Sequence, residues 1–432
     1  MLQKLFGFDP TVHSVKTEVT AGLTTFLTMA YILAVNPGIF SALADKGMPT
    51  DAVFTATALA AIVGTAIMAL YAKKPFALAP GMGLNAFFVY TICLTLGYTW
   101  QFALTAILIE GLLFIALTLC SIREAIANSI PVTLKRAIAS GIGLFIAFIG
   151  LKNAGIVVDN PATLVSLGKL SEPSALLAIA GFIFTAVLVV KKVKGALLLG
   201  ILAVTLAGIP FGVTKLNGLA SVPPSIAPIF MQFEYSQIFT ADMLVAVFTF
   251  LFIDLFDTIG TVVGVSLKSG MVDSKGRIPG ITKTLMADAV ATVAGACFGT
   301  STTTTYVESA SGVAAGGRTG LTAFTVAVCF AVAIFFAPLF LAVPSAATAP
   351  ALMLVGLFMI SAFSGIDCED FSESIPAFVT LLAMPLTYSI ANGILLGVIT
   401  YVLINALTGQ FKKISPTMWV LAVVFIGYYI VV

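Results

Sequence analysis

Charge is scarce in this sequence. Only 9% of its 432 residues are Asp, Glu, Lys or Arg, against 59% in the apolar set. Soluble domains carry about 25% charged residues, so this chain cannot cover a water-facing surface of ordinary extent. It reads as an integral membrane protein, in keeping with a mean hydropathy of +1.11. Its 21 Lys and Arg nearly balance its 19 Asp and Glu, which excludes a basic nucleic-acid groove. The single histidine, His13, excludes hydrolases and metalloproteases that depend on histidine. The five cysteines (Cys93, Cys120, Cys297, Cys329 and Cys368) form no C-x-x-C pair, so zinc sites and a disulfide framework are not expected. No phosphate-binding G-x-x-x-x-G-K-[ST] loop and no nucleophile–base pair is visible, and neither an enzyme nor an ATP-driven pump is expected.

Long apolar runs fill the space that charge leaves. A bilayer core of about 30 Å asks for roughly 20 apolar residues per helix. By that measure the runs predict fourteen spans, near 20–40, 51–72, 76–97, 100–122, 137–152, 174–190, 195–212, 241–267, 281–299, 302–316, 319–340, 346–364, 374–390 and 391–409. The stretch 416–432 is a further span or an interfacial helix. With the N-terminus in the cytoplasm, 17 of the 21 basic residues fall in inside segments, among them Lys73, Lys74, Arg123, Lys268, Lys275, Arg277 and Arg318. Only Lys46, Lys152, Lys169 and Lys215 remain outside. That asymmetry is the positive-inside pattern.

Seven spans precede residue 216 and seven follow it. An odd number per half sets the halves in opposite orientations, as in inverted-repeat transporters. Spans 3 and 10 are the interrupted ones. Span 3 carries Ala77-Leu78-Ala79-Pro80-Gly81-Met82-Gly83-Leu84-Asn85, and span 10 carries Thr300-Ser301-Thr302-Thr303-Thr304-Thr305-Tyr306-Val307-Glu308-Ser309-Ala310-Ser311-Gly312. Taken singly, Pro80-Gly81 could be a mere kink and the hydroxyl run a close-packing surface. Paired at matching places, they point to a binding site, because irregular backbone at membrane depth must line a cavity or be buried in protein.

Five carboxylates lie inside spans: Glu110, Asp254, Asp257, Asp288 and Glu308. A charge at the bilayer centre is costly unless paired or solvated, and no lysine or arginine is available within the spans to neutralise them. Asp254 and Asp257, at i and i+3, share a helix face with Thr258 and Thr261. Two carboxyls so close in an apolar medium do not both ionise, which describes a proton-coupling site and equally a buried structural hydrogen bond. Asp254 lies 54 residues before Glu308, and Ala30 lies 55 before Asn85, so Asn85 mirrors the Glu308 region across the repeat. With Phe87, Phe88, Phe256 and Tyr306 nearby, the gap suits a flat, neutral heterocycle carrying N–H donors and ring acceptors. A sodium site remains open on these residues; an anion site would want cationic side chains.

The same segments carry a resemblance. Gly22-Leu23-Thr24-Thr25-Phe26-Leu27-Thr28-Met29-Ala30-Tyr31, Asn36-Pro37, Ala79-Pro80-Gly81-Met82-Gly83-Leu84-Asn85-Ala86 and Asp254-Leu255-Phe256-Asp257-Thr258-Ile259-Gly260-Thr261 resemble the AzgA-like purine permeases of the nucleobase–cation symporter-2 superfamily. So does the run from Gly299 through Glu308 to Gly320. The likeness covers nearly the whole chain, with Leu23 and Val307 as departures. It implies an all-α polytopic protein, a seven-plus-seven inverted repeat of about 14 spans. A core domain (1–122 and 236–340) would contain spans 1–4 and 8–11, and a gate domain (123–235 and 341–432) spans 5–7 and 12–14. It further implies uptake of adenine, guanine or hypoxanthine with H⁺ by an elevator motion, no cofactor, a homodimer through the gate domain, and a place in the plasma (inner) membrane. Asp254 and Glu308 would be the purine-binding carboxylates and Asp257 and Asn85 polar supports. Thr258 and Tyr306 complete the substrate set, and Asp254, Asp257 and Glu308 are the candidates for carrying the coupling proton.

Overall fold

The computed structural model describes residues 2–120, 131–216, 218–268, 271 and 280–431. Arg123, Lys275 and Arg277 of the orientation count, and the side chains of Phe256 and Lys268, lie outside the described residues. Most of the apolar runs are helical, because only a helix pairs every backbone group within its own segment when no water is at hand.

The helices are α1 (Leu2–Phe6), α2 (Val15–Met29), α3 (Ile32–Phe40), α4 (Thr50–Ile67), α5 (Met82–Ala86), α6 (Trp100–Leu119), α7 (Val132–Asn153), α8 (Pro173–Val190) and α9 (Ala196–Ala207). They continue as α10 (Ala241–Lys268), α11 (Ile281–Phe298), α12 (Ser309–Ala314), α13 (Gly320–Ala333), α14 (Ala337–Leu341), α15 (Ser345–Ile360), α16 (Phe371–Leu386), α17 (Ile390–Leu407) and α18 (Pro416–Val431). The short α5 runs on as a π-helix over Phe87–Thr95. Among the described residues, 8 helices are long and apolar enough to cross a membrane, and five shorter apolar helices accompany them.

An all-helical reading needs correction in two places. Strand β1 (Leu78–Pro80) pairs antiparallel with β4 (Thr303–Thr305), in the register Leu78↔Thr305, Ala79↔Thr304 and Pro80↔Thr303. Strands β2 (Val157–Asn160) and β3 (Leu164–Leu167) form a surface hairpin. The first run is also interrupted where a continuous helix was expected. After α2 ends at Met29, Leu33 N donates to Ala30 O at 3.1 Å and Ala34 N to Tyr31 O at 3.0 Å. These i→i−3 bonds tighten one turn of the chain and leave Tyr31 at the break between α2 and α3.

Packing divides the helices into two groups. In one, α7 packs on α15 and α16, α16 on α17, and α8 on α9 and α15. In the other, α11 packs on α4 and α6, α13 on α2 and α4, and α10 on α6. The α7–α15 crossing is backbone on backbone: a Cβ on Gly143 would lie 2.6 Å from Gly356 O. Small residues allow such approach where no hydrophobic effect drives helices together. The groups meet where α5 and α10 touch α7 and where α3 touches α15.

Candidate functional site

The strand crossing arises from local chemistry on each side. Proline has no N–H and pushes the residue before it towards extended backbone, so Ala79-Pro80 cannot continue a helix. On the other side, β-branched threonines from Thr302 to Thr305 favour strand. Paired, the two short segments satisfy each other's backbone. The ladder is extended by Gly81 N to Thr302 O at 3.0 Å and Tyr306 N to Ala77 O at 2.9 Å. Thr65 Oγ1 braces it from behind, accepting from Leu78 N at 2.9 Å and donating to Leu78 O at 3.1 Å.

The hydroxyl run then gathers acids and an amide from four different helices. Ser301 donates to Asn85 Oδ1 on α5. Thr302 donates to Glu110 Oε2 on α6 at 2.8 Å. Thr304 donates to Asp257 Oδ2 on α10 at 3.3 Å. Thr305 gives both its N–H (3.0 Å) and its hydroxyl (3.2 Å) to Asp288 Oδ1 on α11. Behind this row, Thr258 Oγ1 lies 2.9 Å from Asp254 Oδ1 and 3.0 Å from Asp288 Oδ2. Glu308 stands just past the crossing, at the N-cap of α12, and its Oε1 accepts from the Tyr31 phenol at 2.5 Å. Each of these carboxylates thus meets at least one neutral hydroxyl donor.

Burial separates the candidate residues. Glu110, Asp254, Asp288, Asn85 and Thr258 are fully buried, whereas Asp257 and Glu308 keep part of their surface accessible. Asn85 Nδ2 lies 3.4 Å from Pro80 O, and Tyr306 donates its phenol to the same carbonyl at 2.6 Å. The polar groups of Asn85, Thr258 and Tyr306 are therefore engaged within the crossing. Phe87 and Phe88 pack inward, Phe87 edge-on to Phe250 with ring centroids 4.8 Å apart and Phe88 tilted on Phe40 at 5.0 Å. Among the described residues no group of three or more His, Cys, Asp or Glu side chains is placed to hold a metal ion.

Sequence reasoning passed over Tyr31 and the separate partners of Thr302, Thr304 and Thr305. A signal for Tyr31 existed, because a phenol inside an apolar run needs a hydrogen-bond partner when buried. Which partner depended on the fold.

Residues 16–396 match the model of the permease family. The chain is 44% identical to the guanine/hypoxanthine permease PbuG of Bacillus subtilis, over 99% of this chain and 99% of that protein. It is 42% identical to the adenine permease AdeP of Escherichia coli, over 99% of this chain and 95% of that protein. In fold it is similar to the transmembrane domain of a cyanobacterial bicarbonate transporter, BicA, with a TM-score of 0.62 at 18% identity, covering 90% of this chain and 97% of that one. The chain is a multi-pass membrane protein and belongs to the permease family, as one of its AzgA-like members.

Proposed function

We propose that this permease imports purine nucleobases, adenine, guanine or hypoxanthine, by H⁺ symport with an elevator-type motion. The observation that carries the reading is the strand crossing, which keeps two carboxyls, Asp257 and Glu308, partly accessible among neutral donors. A carboxylate accepts from N–H groups and cannot donate. A purine offers ring N–H and amino donors beside ring acceptors, so it can meet Asp257 and Glu308 while backbone and hydroxyl groups of the crossing serve its acceptors. The names of PbuG and AdeP agree with that substrate class. Asp254, Asn85, Thr258 and Tyr306 belong to the same site as its buried supports.

Coupling follows from carboxyl chemistry. A carboxyl in an apolar, partly closed site is neutral when protonated, and a neutral site crosses the low-dielectric interior at lower cost than a charged one. Protonation of one of Asp254, Asp257 and Glu308 outside, with purine bound, would let the loaded core domain (1–122 and 236–340) move against the gate domain (123–235 and 341–432). Release of both inside would reset the carrier. Two packing groups meeting at α5, α10 and α7 are compatible with that motion. The two short strands, each followed by a helix and joined antiparallel, accord with a seven-plus-seven inverted repeat whose third and tenth spans are broken. A homodimer through the gate domain, in the plasma membrane with a cytoplasmic N-terminus, completes the proposal.

Two other readings share the architecture. An anion carrier would be consistent with the BicA likeness, but carboxylates at the crossing repel anions. A sodium-coupled nucleobase carrier uses similar ligands. Uptake of radiolabelled adenine, guanine, hypoxanthine and uracil into proteoliposomes separates them. Saturable purine uptake that collapses with a protonophore, and is unchanged when choline replaces sodium, supports the proposal. Dependence on sodium moves the coupling to that ion. No uptake of any base by folded protein overturns the reading.

A further inference from the structure

We infer that Tyr31 is a positioning residue for substrate recognition, fixing the orientation of the Glu308 carboxylate that meets the purine. The inference rests on the purine-permease reading above and extends it to a residue outside the interrupted segments.

Tyr31 sits at the junction between α2 and α3 and is fully buried. Its phenol reaches Glu308 Oε1 at 2.5 Å across 277 residues of sequence. Glu308 needs such a partner. It is only partly buried, it opens the six-residue α12, and the residue before it, Val307, is 60% exposed. A glutamate in that place has three side-chain torsions to fix, and fixing them on ligand binding opposes binding. The phenol fixes them beforehand. It takes one of the roughly four lone-pair sites of the carboxylate, and sites that neither the phenol nor the residue's own backbone N–H engages can accept from N–H donors of a ligand.

The junction is tied to this contact on both sides. The i→i−3 bonds from Leu33 N and Ala34 N tighten the helix at Ala30 and Tyr31. Five residues further on, Asn36 Nδ2 donates to Thr300 Oγ1 at 3.1 Å, and three residues earlier Thr28 Oγ1 lies 2.9 Å from Ser311 Oγ. The first helix pair is thereby tied to the segment carrying Glu308 both before the crossing and after it. Tyr31 makes the tie that ends on the carboxylate. Tyr306, the other buried phenol nearby, ends on a backbone carbonyl instead.

The test is Tyr31→Phe, which removes one oxygen and keeps the ring. Purine uptake is measured with the full-length protein in proteoliposomes, with protein amount and Tm recorded alongside. The expected result is a rise in KM of about 10-fold, the usual scale for losing a charge-assisted hydrogen bond, with Vmax within about 2-fold of wild type. In a Glu308→Asp background, where the shorter acid no longer reaches the phenol, Tyr31→Phe should leave KM unchanged. A fall in Vmax at constant KM would mean a purely structural role and overturn the inference. An equal KM effect in both backgrounds would overturn it as well. Should Glu308→Asp carry no uptake, the split between KM and Vmax for Tyr31→Phe alone decides. A folded wild type that takes up no purine overturns the functional reading itself, whereas wild-type uptake with an unaltered Tyr31→Phe KM overturns this inference alone.

Discussion

The phenol of Tyr306 donates to the carbonyl oxygen of Pro80 at 2.6 Å, joining residues 226 positions apart in the chain. That bond closes the corner of the crossing where β1 gives way to α5, and both residues are buried. It satisfies a carbonyl that no longer lies in a regular helix, the requirement irregular backbone must meet at membrane depth.

Tyr306→Phe should therefore destabilise the protein by about 1–3 kcal/mol, the range for a buried acceptor deprived of its donor. The drop in Tm of the purified permease reads this directly. An unchanged Tm would show that Asn85 Nδ2, 3.4 Å from the same oxygen, suffices by itself.

Glu308→Gln keeps shape and removes the charge that accepts from both Tyr31 and, in the proposed function, the purine. Purine uptake should fall by about 10-fold or more, since hydrogen bonds to charged groups contribute about 1.5–3 kcal/mol. Asp257→Asn, at the other accessible carboxyl, should behave similarly. Unchanged, pH-dependent uptake by Glu308→Gln would remove Glu308 from the coupling mechanism.

Gly312 lies where α12 meets α2, and a Cβ there would stand 2.6 Å from Ala21 O. Gly312→Ala should push α12 and its Glu308 cap away from α2, at a cost of about 1–3 kcal/mol for an overpacked contact. Gly427→Ala, where a Cβ meets no atom of the described residues within 4 Å, should stay within about 0.5 kcal/mol. Thermal melts of the two variants, paired with uptake, check the contrast; equal Tm values would refute the packing argument.

Asp370 caps α16 in the loop before it, accepting from Ser372 Oγ at 2.7 Å, from Ser372 N at 3.0 Å and from Lys413 Nζ at 2.9 Å. The Ser372 hydroxyl first, then Lys413, hold its carboxyl below the usual carboxylate range. A carboxyl lowered by folding adds stability above its ordinary value of about 3.9 and loses it as the pH falls through the folded value. With side-chain exposures of 35% and 40% for Lys413 and Asp370, solvent screens the pair and the effect is small. Asp370→Asn should lower Tm by the same small amount at pH 6 and pH 8, and the gap should close in acid. A gap that widens below about pH 4 would contradict the assignment.

The sequence determined the class of this protein. Scarce charge and long apolar runs require a membrane solvent, and every run between charged or Pro/Gly breaks carries helix in the structure. It also marked where helix would fail, since Pro80-Gly81 and the threonine run are unfavourable to helix for reasons local to those residues. The five carboxylates stood out because a charge at that depth is costly unless it is paired or solvated. Legibility ended at partnership. That Thr302 would meet Glu110, Thr304 Asp257 and Thr305 Asp288 depends on which helices surround β4. That Asp257 stays accessible while Asp254, one turn away, is sealed behind Thr258 depends on where α11 packs. Tyr31 is one more aromatic in an apolar run until helix packing brings its phenol to Glu308. Hydropathy and backbone preference act within a few residues and are written along the chain. A hydrogen bond between side chains hundreds of residues apart exists only once the helices have packed, so only the tertiary structure could decide it.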